Sequence, residues 1–129
     1  MYITMFFASI LTLIYVGLSL YVVRTRRANG ISIGTGENET LLRATRAHSN
    51  FIEYTIITLL LMSMAEFEGS MVMRNLYIIG ILLVISRVLH TYALVTKNGL
   101  FRTTSMVLTF TVLLWLAVRL LLASVGTLF

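Results

Sequence analysis

The segment "RATRAHSNFIEY", Arg43 to Tyr54, carries two arginines, a histidine, an asparagine and a glutamate, and it leads straight into the apolar run "TIITLLLM". An α-helix advances about 100° per residue, so Arg43, Arg46, Asn50, Glu53 and Tyr54 share an arc of roughly 100°, with His48 on nearly the opposite side. A second helical run repeats the device: Arg87 and His90 are three apart and share a face with Thr91 and Leu94. A charge at the centre of a bilayer costs about 2.5–3.5 kcal/mol on insertion scales, so these groups need partners. Arg43 and Arg46 escape part of that cost by snorkelling toward the end of their span. Glu53 and Arg87 lie deeper, at comparable depth on antiparallel neighbours, and are expected to pair. One glutamate cannot neutralise Arg43, Arg46, Arg87 and Arg102, which belong to the same half of the molecule. The surplus is positive, and an anionic guest would balance it. The structural alternative is a clamp of internal ion pairs alone.

Other chemistries find little support. The chain has no cysteine, which excludes a thiol nucleophile, a disulfide framework and a thiolate metal site. His48 and His90 lie on different helices with no cluster of carboxylates around them, so no metal is expected. The serines lack a base-and-orienter arrangement, and the chain contains no aspartate, which argues against Ser-His-Asp hydrolysis. "GISIGTG" lacks the lysine and the preceding strand of a phosphate-binding loop. The net charge of +5 sits at the ends of apolar segments and inside them, not in a solvated run, so nucleic acid is not an expected partner.

The elements that must position these residues are membrane helices. Of the 129 residues, 58% are apolar and 12% charged, against about half and about a quarter in soluble domains. Lipid is therefore the expected solvent for most side chains. A crossing takes about 20 apolar residues. Four runs meet that length, giving predicted helices over 2–23, 40–66, 73–95 and 103–128 in a single all-α domain, an up-down four-helix bundle. The first run has no basic residue before it and no small-residue cleavage site after it, so it reads as a retained helix. The stretch from Arg24 to Glu39 is expected to be irregular, and "TKNGLFR" marks the last break. Arg24, Arg26, Arg27, Lys97 and Arg102 place the first and third connections in the cytoplasm and both termini outside. Arg119 is expected to meet the acidic turn at Glu66 and Glu68. Tyr2, Phe6, Phe7 and Phe129 are expected interfacial anchors.

"RATRAHSNFIEY" resembles the second-helix signature of the MAPEG family, the membrane-associated proteins of eicosanoid and glutathione metabolism, through Arg46, Ala47, His48, Asn50 and Glu53. "RVLHTYA", Arg87 to Ala93, is similar to the family's third-helix segment, and length, spans and loop positions match along the whole chain. The resemblance implies a homotrimer, with glutathione as co-substrate bound between subunits. It implies that Arg46 and Asn50 hold the polar backbone of glutathione and that Glu53 takes its ammonium. Arg87, Tyr54 and His90 would line the same cavity, Arg26 or its neighbours Arg24 and Arg27 would add a further contact, and His48 would reach the site across an interface. Arg102 matches the arginine that stabilises the glutathione thiolate; a nearby guanidinium lowers a thiol pKa. One departure stands out: Leu94 occupies a position where several family members carry a tyrosine.

The resulting expectation is a bacterial-type inner-membrane protein that conjugates glutathione to lipophilic electrophiles or reduces lipid peroxides with it. The alternative is a non-catalytic membrane protein that holds an anionic lipid or fatty acid in the same pocket.

Overall fold

The computed structural model describes residues 1–128, so the anchoring expected of Phe129 lies outside the described residues. Four helices follow one another: α1 Tyr2–Ala28, α2 Glu39–Phe67, α3 Met73–Thr96 and α4 Gly99–Leu128. All four are long and apolar enough to cross a membrane. Large apolar side chains such as Leu13, Leu60, Ile81 and Leu114 stand on the outer surface, as they do where lipid replaces water as the solvent.

Helix α2 packs on the other three helices, α3 does the same, and α1 and α4 do not touch each other among the described residues. The cross-section is thus a diamond with α2 and α3 on its short diagonal. One apolar core joins Phe7, Met62, Ile79, Val112 and Leu116, and a second joins Leu11, Ala47, Phe51 and Leu83. Gly80 lets α1 approach α3. A Cβ at Gly80 would lie 2.2 Å from Cδ2 of Phe7.

Helix ends differ from the sequence expectation by more than one residue in two places. Helix α1 does not stop at Val23; it continues through Arg24, Arg26 and Arg27 to Ala28. The arginines are compatible with a helix that leaves the bilayer, and the chain turns only where Gly30 adopts a φ of 64°. Helix α4 begins at Gly99, ahead of the expected Thr103, so Arg102 is helical. Lys97 closes α3 in the left-handed conformation, and the Asn98 amide N–H donates to Ala93 O at 3.0 Å. Asn98 Oδ1 then accepts from the Phe101 N–H at 3.2 Å and caps α4. This two-residue joint fixes the rotation of α4 against α3.

At the opposite end Glu66 caps α1. Its carboxylate accepts from the N–H groups of Ile3 at 2.9 Å and Thr4 at 2.8 Å, and from the Thr4 hydroxyl at 2.6 Å. A carboxylate at a helix N-terminus satisfies free N–H donors and meets the positive end of the dipole. Arg119 does reach the α2–α3 turn, but it donates to the carbonyl of Ser70 at 2.5 Å and makes no pair with Glu66 or Glu68.

Candidate functional site

Arg46 and Asn50 from α2, His90 and Leu94 from α3, and Arg102 and Met106 from α4 line one cavity of about 420 Å³. Residues four apart on a helix point the same way, so each helix contributes one pair to the wall. The short α3–α4 joint brings Arg102 opposite His90. The cavity sits at the end of the bundle where Lys97 bonds Glu39 at 2.7 Å, which ties the α3–α4 joint to the start of α2.

The side chains of Arg46 and Arg102 have no acidic partner and make no hydrogen bond among the described residues. Arg43 is different. It pairs with Glu39 one turn back at 2.5 Å, and Lys97 shares the same carboxylate. The unbalanced charge expected from the sequence is therefore narrower than four arginines: at the cavity it consists of Arg46 and Arg102.

The expected Arg87–Glu53 pair is absent. Glu53 is exposed and forms no ion pair, while Arg87 is 0% exposed and turns toward α4. The stripe on α2 divides after Asn50: Tyr54 continues inward and Glu53 turns outward. Arg87 donates to the Thr109 hydroxyl, to the Ser86 hydroxyl at 3.4 Å, and to both Asn50 O and Asn50 Oδ1 at 3.4 Å. Its guanidinium lies 5.1 Å from the centre of the Tyr54 ring, whose edge meets Phe110. A buried cation is thus held by neutral oxygens and an aromatic face, behind the cavity and not on its wall. Because Asn50 Oδ1 is engaged by Arg87, the amide NH₂ of Asn50 is left to face the cavity as a donor.

His90 is 4% exposed, and its Nδ1 lies 3.0 Å from the Ser105 hydroxyl. Ser105 in turn donates to Arg102 O at 2.8 Å. His48 and Arg26 lie elsewhere in the chain. His48 rests on α1, 4.8 Å from the Tyr15 ring, with its Nε2 3.1 Å from the Ser19 hydroxyl. Arg26 closes the first connection by donating to Gly34 O at 2.7 Å.

Ser105 and Thr109 escaped the sequence reading as site residues. Their signal is positional: they stand four apart in α4 on the buried face that also carries Val112 and Leu116. Two hydroxyls on the inward face of an apolar helix are a mark of buried polar partners. A larger apolar groove of about 610 Å³ lies at the far end between α2 and α4, with Glu68 as its ionisable residue. It holds no constellation of reactive groups. No group of three potential metal ligands occurs among the described residues.

Comparison with known proteins bears out the family resemblance. The MAPEG family model matches residues 4–122, nearly the whole chain. The search of curated proteins and the search of solved structures each gave no match. Four apolar helices and a family match over this length lead to one conclusion: the chain belongs to the MAPEG family and is a membrane protein of the glutathione and eicosanoid type.

Proposed function

We propose that this protein binds glutathione, or a related anionic thiol, in the α2–α3–α4 cavity, and transfers it to lipophilic electrophiles or uses it to reduce lipid peroxides. The observation that carries this reading is the pair Arg46 and Arg102 on one cavity wall without a carboxylate partner among the described residues. Glutathione is net anionic, and its two carboxylates and a thiolate match such a site. Arg46 and the Asn50 amide suit a carboxylate or peptide carbonyl. Arg102 suits the sulfur, because a guanidinium stays protonated while it lowers the thiol pKa. The thiolate attacks an electrophile dissolved in the bilayer: a carbon–sulfur bond forms, the leaving group departs with its electron pair, and the thiol proton goes to water. With a peroxide, two thiols supply two electrons and become a disulfide, leaving an alcohol and water.

The protein would act as a homotrimer in a bacterial-type inner membrane, with sites between subunits. Glu53 faces outward from the single chain and would meet ligand only at such a junction; Arg26 and His48 would need to do so past their contacts with Gly34 O and with α1. Leu94 favours a second reading. It supplies an apolar wall where a hydrogen-bond donor would help the thiolate, so a non-catalytic pocket for a fatty acid or anionic lipid also accommodates the charge.

Purified protein in detergent, given glutathione and a chlorinated nitrobenzene, separates the two. Turnover that falls at least about tenfold in Arg102→Ala supports the transferase, since a neighbouring cation shifts a pKa by one to three units. Saturable glutathione binding without turnover supports the non-catalytic pocket. Absence of saturable binding overturns the glutathione reading.

A further inference from the structure

The C-terminal end of α1 carries positive charge that no carboxylate balances. Arg24 and Arg27 form no ion pair and no side-chain hydrogen bond among the described residues, and the exposed Glu37 pairs with neither. Gly30, in the left-handed conformation, turns the chain back against the helix, and Arg26 holds the fold-back by donating to Gly34 O at 2.7 Å. The result is an open pocket of about 360 Å³, with Arg26, Arg27, Gly30 and Ser32 on its polar side and Val23 and Ile31 on its apolar side. A helix C-terminus ordinarily repels an anion, because its last carbonyls are free. Here the N–H groups of Asn29, Gly30 and Ile31 occupy the carbonyls of Thr25, Arg26 and Arg27. The Arg27 guanidinium and the Ser32 hydroxyl are left as donors.

Leading away from this pocket, the outer side of α1 is a single apolar strip. Leu13, Val16, Leu20 and Val23 are exposed, and at about 100° per residue they share with Arg27 an arc of about 80°. From Val16 to Arg27 the strip rises about 16 Å, close to the hydrocarbon depth of one leaflet, about 15 Å. Ile33, next to Ser32 in the first connection, is 90% exposed. An isoleucine so placed leaves water only when the connection lies against the headgroup layer.

We infer that the pocket holds the phosphate of an anionic phospholipid of the phosphatidylglycerol type, with the acyl chains along the α1 strip. A phosphodiester is an anion with acceptors alone, which complements a wall of donors. A soluble phosphate fits the wall but leaves the strip unused. A zwitterionic lipid brings a cationic group that Arg24, Arg26 and Arg27 repel. The pocket shares no residue with the α2–α3–α4 cavity, so the inference stands apart from the ligand of that cavity.

Native mass spectrometry of the purified protein counts bound lipids directly. With phosphatidylglycerol and phosphatidylcholine of matched chains, binding of the anionic lipid should saturate and be about tenfold tighter. Arg27→Gln should weaken phosphatidylglycerol about fivefold, the worth of one basic residue beside an anionic headgroup. Arg74→Gln removes the same charge from an exposed position at the far end and should leave affinity within about twofold, because charges beyond a screening length act weakly. Equal affinity for the two lipids overturns the inference, and so do equal losses in the two variants, which would show attraction to net charge and not a site. Glycerol phosphate, the same headgroup chemistry without chains, should not displace the lipid at equal concentration. Displacement by it would make the pocket a site for soluble anions, and displacement by glutathione would assign these arginines to the thiol site; either result overturns the lipid assignment.

Discussion

A buried arginine without a carboxylate is the side chain on which the cavity depends. Arg87 is surrounded by Thr109, Ser86, Asn50 and the Tyr54 ring, all neutral, so its full charge stays within reach of the cavity it does not line. Its contact with Asn50 Oδ1 sets the polarity of the amide. Asn50→Asp tests this by separating stability from binding. A carboxylate at position 50 gains a charge-assisted pair with Arg87, so the thermal midpoint should hold or rise. The cavity loses its amide donor and acquires a negative charge, so glutathione affinity should fall about a hundredfold. A parallel loss of midpoint and affinity would show instead that Asn50 serves packing alone. Most of the wall was legible in the sequence, because Arg46, Asn50, His90 and Arg102 are conspicuous in an apolar chain. The partner of Arg87 was not. Matching depth along antiparallel helices gives register but says nothing about rotation, and rotation turns Glu53 outward and Arg87 toward α4. The hydroxyls of Ser105 and Thr109 were hidden for a related reason, since serine and threonine in a membrane helix most often satisfy themselves on the preceding turn.

At the scale of the helices, α2 and α3 carry the site, and α1 braces them through one close approach. Gly80 lies against the face of Phe7, where an added Cβ would stand 2.2 Å from Cδ2 and 2.2 Å from Cε2. The ring also meets Tyr77 edge-on and sits in the buried core, so it has little room to withdraw. Gly80→Ala should therefore cost about 1–3 kcal/mol, the usual penalty for overpacking. The loss should be partly recovered in the Gly80→Ala/Phe7→Leu double variant, measured by denaturation in mixed micelles. Equal stability of Gly80→Ala and wild type would mean that α1 moves off α3 without penalty. The number and order of helices came straight from the apolar runs. Their ends did not, because a helix can continue past the end of its apolar run. Arginine is a good helix former and tolerates the last turn of a helix, where it meets the negative end of the dipole. The actual stops are backbone events: the left-handed Gly30 after α1, the left-handed Lys97 after α3 and the Asn98 cap before α4.

Taken whole, the molecule has two unlike ends. Lys97, Glu39 and Arg43 tie the α3–α4 joint to the start of α2, and the cavity opens at that end. Glu66 on α1 and Arg119 on Ser70 tie the other. The first and third connections therefore share one side of the membrane whichever way the protein inserts. Arg24, Arg26, Arg27, Lys97 and Arg102 cluster there, whereas Arg74 and Arg119 at the far end are offset by Glu66 and Glu68. Basic residues close to the ends of spans are retained in the cytoplasm, so the cavity should open inward and both termini should lie outside. The orientation bears on the proposed function, in which a water-soluble anionic thiol would approach from the aqueous side while its electrophile would arrive through lipid. The absence of cysteine makes the test direct. Single cysteines at two exposed positions, Ser32→Cys in the first connection and Glu68→Cys in the α2–α3 turn, can be labelled with a membrane-impermeant maleimide. In intact spheroplasts Glu68→Cys should react and Ser32→Cys should react only after permeabilisation. The reverse pattern would place the cavity mouth outside, and a cytoplasmic thiol could then not be its ligand.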